Sequence, residues 1–338
     1  MFWGKSKSSL LTPVGTIEKA LWTVAGGKGG TGKSVVTANL GLALSTLGYN
    51  TIAVDADLGA ANLHTCLNIR RPSVTLNDFL ANKVNTLAAV LLDTPNEKLK
   101  LISGGSELLG IANLNYQKKM KFMRHLNTLN AHFILVDLGA GTGFNVLDFF
   151  LLSNEGIIVC NPEPNAKLDA YSFLKNGVFR KLQSSLKDED VIQKILQSVG
   201  SDTNNKGFEV SRLLKIARSM NGSTADKMST VLTEFRPKLI MNKIRRKSQI
   251  AEGYQLVNLA KEYLGIQLDY LGFIEYDQKV IDASEKMMPF LLEYPNCSAS
   301  QNIFKILYSL GITQNDGSER SFKKELSKEM KTVAKNWE

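Results

Sequence analysis

The sequence predicts an α/β fold: a mostly parallel central sheet with helices on both faces. Three observations carry that expectation. Apolar, β-branched runs recur along the chain with helical segments between them, as buried parallel strands joined by crossover helices require. The first run leads straight into a glycine-rich loop, Gly26-Gly27-Lys28-Gly29-Gly30-Thr31-Gly32-Lys33-Ser34. Polar residues stand where several runs end, and that is the edge at which such sheets bind ligands.

Residues 21–25 read as a buried strand. After the glycine loop, Leu40, Ala43, Leu44 and Leu47 have helical spacing, so 35–47 reads as a helix. Further strands are expected at 51–54, ending at Asp55, and at 99–102, before Ser103-Gly104-Gly105. The runs 133–136, 156–160 and 238–241 end at Asp137, Asn161-Pro162 and Asn242, and 270–274 ends near Asp277. From about 180 to 236 the chain is polar and helical around the loop 200–207. It reads as a helical excursion from the sheet rather than a second domain, serving as cover for the sheet or as a partner surface. The expected organisation is an N-terminal extension (1–19), one α/β domain (20–314), then a linker and a C-terminal amphipathic helix (315–338).

Composition narrows the class. With 338 residues and 43% hydrophobic content, the chain can bury a sizeable core. No run approaches the roughly 18 apolar residues of a membrane span. Residues 1–7 are followed by no secretory h-region, so a cytoplasmic protein is expected. Cys66, Cys160 and Cys297 form no C-x-x-C pair, and His64, His125 and His132 are scattered. A zinc site or disulfide framework therefore has no support. The net charge of +9 favours anionic surfaces, lipid or nucleic acid, without choosing between them.

The loop carries the chemistry. Strand, glycine loop and helix form the context a phosphate-binding loop needs. Glycines let backbone N–H groups approach phosphate oxygens, and the helix N-terminus adds partial positive charge. Lys33 would reach the β- and γ-phosphates, and the Ser34 hydroxyl would ligate Mg²⁺. Downstream, Asp55-Ala56-Asp57-Leu58-Gly59-Ala60-Ala61-Asn62 leaves a strand with two carboxylates at i and i+2. Hydrolysis of a phosphoanhydride needs one carboxylate near the metal and one group to orient water. Asp137-Leu138-Gly139-Ala140-Gly141 offers a further strand-end carboxylate.

The GKGGTGKS form resembles the deviant Walker A loop of the MinD/ParA superfamily. The resemblance implies a P-loop ATPase using ATP and Mg²⁺. It assigns nucleotide binding to Gly27, Lys28, Gly29, Gly30, Thr31, Gly32, Lys33, Ser34 and Val35, with Gly139 at the γ-phosphate and Asn242 at the adenine. Lys28 corresponds to the lysine that reaches a partner's phosphates, which implies an ATP-dependent homodimer. Catalysis would fall to Lys28, Lys33 and Asp57, with Asp57 positioning water. Ser34, Asp55 and Asp137 would serve the metal, Asp55 from its outer shell. The cysteine patterns of the iron–sulfur branches are not evident. The segments 55–62, 161–164, 169–171 and 289–295 look most like the FlhG branch, MinD-like ATPases that set flagellar number and placement. Two departures stand out. Glu275 replaces the usual proline of the base loop, and residues 1–19 hold no D-Q-A-x-x-L-R-type activator motif for an FlhF-type GTPase.

In the tail, Phe322, Leu326, Met330, Val333 and Trp337 lie on one helical face, with Lys323, Lys324, Lys328, Lys331 and Lys335 around it. Such a helix suits an anionic membrane surface, and two copies in a dimer would gain avidity. That implies reversible peripheral association with the inner membrane. The alternative is a helix packed on the protein's own body or on a partner. Other readings are a ParA-like DNA-partition ATPase using the cluster Lys243, Arg245, Arg246 and Lys247, or a nucleotide-binding regulator with little hydrolysis. An activating or cargo protein is expected but unidentified.

Overall fold

The computed structural model describes residues 19–57, 59–105, 116–186 and 210–312, together with Leu326, Met330 and Val333. Residues 1–18 of the expected extension, the loop 200–207 and the tail residues Phe322 and Trp337 lie outside the described residues.

An eight-stranded sheet forms the centre, in the order β3-β4-β2-β5-β1-β6-β7-β8. Its members are β1 (Ala20–Ala25), β2 (Thr51–Ala56), β3 (Leu92–Asp93), β4 (Leu99–Ile102), β5 (Phe133–Leu138), β6 (Ile157–Cys160), β7 (Lys238–Ile244) and β8 (Asp269–Glu275). Every neighbouring pair is parallel except β3 with β4. The two-residue β3 carries too little periodicity to be read from sequence.

Side chains alternate between two cores, one on each face of the sheet. In β5, Ile134, Val136 and Leu138 join one core while Phe133 and Leu135 join the other. This period of two is the pleat itself. The first core is covered by α3 (Tyr116–Thr128), α4 (Phe144–Phe150), α5 (Pro164–Ser185), α6 (Val210–Met220), α7 (Gly222–Glu234) and α8 (Ala251–Leu264), after the short α2 (Leu76–Leu80). Leu213, Ala217, Ala225, Met228 and Leu232 of α6 and α7 are buried in it. The described part of the helical excursion is therefore cover for the sheet. Lys19, at the edge of the expected extension, donates to the carbonyls of Leu126, Asn127 and Leu129 and so caps the end of α3.

The second core is built around α1 (Lys33–Thr46), with α9 (Gln278–Glu285), α10 (Phe290–Glu293) and α11 (Ser298–Ser309). Beyond Lys33, α1 has no charged residue, and twelve of its fourteen residues are buried. A helix apolar all round needs cover on its outer side as well as from the sheet. The tail supplies part of it. Leu326 and Met330 are fully buried in this core, Val333 packs on it, and Met330 Sδ lies 3.7 Å from Thr46 Oγ1. Of the two readings of the 322–337 face, its three described residues favour packing on the protein's own body. Among the described residues, no helix is long and apolar enough to cross a membrane.

Candidate active site

The site lies along the carboxyl edge of the parallel strands. β1 ends at Ala25, and α1 begins at Lys33 after the loop 26–32. Gly32 caps the helix in the left-handed region (φ 90°), and its carbonyl accepts the first helical bond from Val36 N at 2.9 Å. A β-carbon at Gly27 would lie 2.3 Å from the Asp169 carbonyl carbon. The N-terminal turn of α5 therefore presses directly on the loop, and only glycine fits between them. Lys33 is buried, Lys28 and Gly27 are half-buried, and Gly29 and Gly30 form the exposed rim. Ser34 and Val35 follow in the first turn of α1, where the helix dipole is strongest.

Two aspartates sit side by side beneath this turn. Asp55 of β2 pairs in register with Asp137 of β5, and both are fully buried. Each strand continues one residue beyond its aspartate, so neither strand ends where the sequence reading placed it. Asp55 accepts from the backbone N–H groups of Asp57 (3.1 Å) and Leu63 (2.9 Å). Asp137 Oδ1 accepts from Thr37 Oγ1 at 3.5 Å, while Oδ2 is buried without a partner. Ser34 and the Lys33 ammonium lie close enough to this carboxylate to favour its charged form. Burial pushes both carboxyls well above the usual carboxylate range, Asp55 to about 7 with repulsion from Asp57 added, and Asp137 to about 8 with repulsion from Asp55 added.

An orphaned carboxylate oxygen beside a serine hydroxyl fits a hard divalent cation. Mg²⁺ takes oxygen donors and needs only one or two carboxylates when phosphates supply the rest. Among the described residues, no cluster of three or more His, Cys, Asp or Glu side chains forms a self-sufficient metal cage. The residues present therefore suit a metal that arrives with a phosphate ligand.

Asp57 stands above this pair, half-buried. Its Oδ1 accepts from Gly59 N at 3.2 Å and Ala60 N at 3.0 Å. A β-carbon at Gly139 would lie 3.3 Å from that oxygen, so the segments following β2 and β5 meet at Asp57. Lys33 and Ser34 at the start of α1 thus lie near the strand-end residues Asp55, Asp57, Asp137 and Gly139.

On the other side of the loop is a cavity of about 420 Å³, whose lining includes Gly32, Val35, Asn161, Asn242, Glu275 and Tyr276. Asn242 donates to the Thr31 carbonyl at 2.7 Å and accepts from Lys243 N at 2.9 Å. One amide hydrogen and one lone pair remain for a ligand, so Asn242 braces the loop as well as lining the cavity. The Arg245 guanidinium stacks on the Tyr276 ring at 3.6 Å. Asp277 also lines the cavity, but its carboxylate oxygens are already engaged. It caps α9 through Lys279 N and also holds the amide and hydroxyl of Ser298. Two further buried oxygens, Thr31 Oγ1 and Asn161 Oδ1, have no partner.

Sequence reasoning missed Thr37, and it placed Lys243 and Arg245 in a basic DNA cluster rather than at the phosphate loop and the Tyr276 ring. Thr37 was legible in principle, since it stands one helical turn after Lys33 and shares its face. The other two depend on how β7 and β8 pair.

A profile of the CobQ/CobB/MinD/ParA nucleotide binding domain matches residues 22–290. The chain belongs to this family. Among curated relatives it is similar to the antiactivator FleN of Pseudomonas aeruginosa, with 31% identity over 45% of this chain and 54% of that protein. It is likewise similar to the flagellum site-determining protein YlxH of Helicobacter pylori, with 31% identity over 49% of this chain and 54% of that protein. The chain therefore spans about half the length of each of these relatives. Both are of the FlhG-like kind that the motifs resembled. The fold is that of the septum site-determining protein MinD from Pyrococcus horikoshii OT3, solved with Mg-ADP: TM-score 0.57, 21% identity, 86% of this chain and 96% of that one.

Proposed function

We propose that this chain is a Mg-ATP-dependent dimerising ATPase that acts as a spatial switch, placing flagella or another assembly at the cell pole or membrane. The observation that carries the ATPase reading is the orphaned, fully buried Asp137 oxygen beside Ser34 and Lys33, at the mouth of a glycine loop. The spatial role rests on the likeness to FleN and YlxH.

In this reading, loop N–H groups and Lys33 hold the β- and γ-phosphates. Ser34 and Asp137 would hold Mg²⁺, with Asp55 behind them, and the ion when bound would supply charge neutralisation at the phosphate oxygens. Asp57 accepts a hydrogen bond from the attacking water and fixes its direction. The backbone N–H of Gly139 meets the γ-phosphate and loses that contact after hydrolysis, which provides the conformational signal. Lys28, on the loop's rim, reaches a second copy's phosphates, so ATP closes the dimer and hydrolysis opens it.

The DNA-partition alternative loses support from its own cluster. Lys243 bonds the Gly30 carbonyl and Arg245 stacks on Tyr276, so two of its four cations are engaged at the nucleotide cavity.

The test is phosphate release and sedimentation with ATP and ADP. Asp57→Ala is expected to accumulate an ATP-bound dimer with hydrolysis reduced at least about a hundredfold. Lys28→Ala is expected to stay monomeric and inactive. Parent-like turnover in Asp57→Ala would remove its assigned role. No turnover in the parent under any condition would favour a regulator with little hydrolysis.

A further inference from the structure

The pairing of β7 with β8 shifts register at two places, between Leu239 and Ile240 and again between Met241 and Ile244. Met241 pairs with Phe273 and Ile244 with Glu275, so Asn242 and Lys243 together oppose the single residue Ile274. This is a β-bulge, a device that re-aims side chains and recurs beside active sites. Lys243 occupies the left-handed region, φ 59°. That conformation favours glycine, and an L-residue with a long side chain holds it at a cost.

The bulge brings both side chains onto the phosphate loop. Asn242 Nδ2 bonds the Thr31 carbonyl at 2.7 Å, and Lys243 Nζ bonds the Gly30 carbonyl at 2.8 Å. Gly30 is itself left-handed, φ 76°. Its peptide lies two residues from Lys28, on the rim that phosphates and a second copy would meet. Pulling the Gly30 and Thr31 carbonyls toward β7 turns the neighbouring N–H groups the other way, toward the anion. The Lys243 bond is exposed, so in water alone it is weak. A strained lysine is a poor choice for a bulge that needed only to bend, because glycine would serve better.

We propose that Lys243 is a positioning residue. It clamps the 28–31 segment in its anion-accepting form and so links the base side of the site to the phosphate side. This rests on the ATP reading above. Lys243 is not assigned contact with the reacting atoms, since its ammonium acts through the Gly30 carbonyl.

Three variants separate clamp from scaffold. Lys243→Gly relieves the backbone strain and removes the cation. Lys243→Met keeps the stem and removes the charge. Lys243→Arg keeps the charge. Melting temperature, affinity for a non-hydrolysable ATP analogue and affinity for adenosine would be measured on the full chain. The clamp predicts a Lys243→Gly variant at least as heat-stable as the parent, yet about tenfold weaker for the ATP analogue. Lys243→Met should weaken to a similar degree, Lys243→Arg should recover most of the loss, and adenosine affinity should not change. Two outcomes overturn the clamp: parent-like analogue affinity in Lys243→Gly, or equal losses for adenosine and the analogue, which would mean that Lys243 merely shapes the base pocket. A parent that binds no ATP analogue would instead sink the ATP reading, and the clamp with it.

Discussion

The paired aspartates make a prediction at the scale of single residues. In the metal-free fold, Asp55 and Asp137 hold protons well above the ordinary carboxylate value of 3.8, up to about 7 and about 8. The folded state therefore binds more protons than the unfolded chain between about pH 4 and pH 8. Their contribution to stability is present below that window and is lost as pH rises through it. Melting in EDTA without nucleotide should fall from pH 5 to pH 8. Asp137→Asn should flatten that fall and raise stability at pH 8, because a neutral amide replaces a buried charge. A flat profile in the parent would mean that the two carboxylates are hydrated in solution. The same residues support the proposed metal site, since one buried Asp137 oxygen has no partner within the protein. Much of this was legible beforehand, since Lys33, Ser34, Asp57 and Asp137 stand at characteristic spacings. Lys243 was not, because its role follows from a bulge that shifts register by one residue, and no spacing encodes that.

Among the elements, α1 carries the clearest consequence. Its face toward the sheet is covered by strands, but its outer face depends on α10, α11 and the tail. Asn39 shows the same dependence in polar form, accepting from Leu291 N at 3.0 Å. Leu326→Ala or Met330→Ala should each cost about 2–5 kcal/mol, the usual loss for a buried large-to-small change. Urea denaturation would measure it. A loss under about 0.5 kcal/mol, the size of an ordinary surface change, would mean that the tail does not rest on α1 in solution. The hint was present in the sequence of α1, which offers no polar face. The tail's heptad-like spacing was equally visible, but amphipathicity says only that a face needs cover. It does not say whether lipid, a partner or the chain itself provides it.

At the scale of the whole molecule, the inward-facing Leu326 and Met330 bear on what the proposed dimer could bind. While Leu326 and Met330 stay buried in the second core, they cannot also insert into a bilayer. Co-sedimentation with anionic liposomes should leave the protein in the supernatant with ADP and with ATP. Pelleting with ATP alone, lost on truncation after Gly317, would show instead that dimerisation releases Leu326 and Met330. That exchange would require the dimer to supply the burial energy that the core gives up.

The sequence by itself determined the parallel sheet, the phosphate loop and the carboxylates around it. Continuous apolar runs can be buried only between two layers, and a glycine loop between strand and helix has one main use. Only the tertiary structure decided which surface the tail covers, that Asp55 and Asp137 share one buried place, and that Asn242 and Lys243 brace the loop. Those facts depend on strand order and register, which set the distances between residues 80 to 290 positions apart, and local pattern carries no information about them.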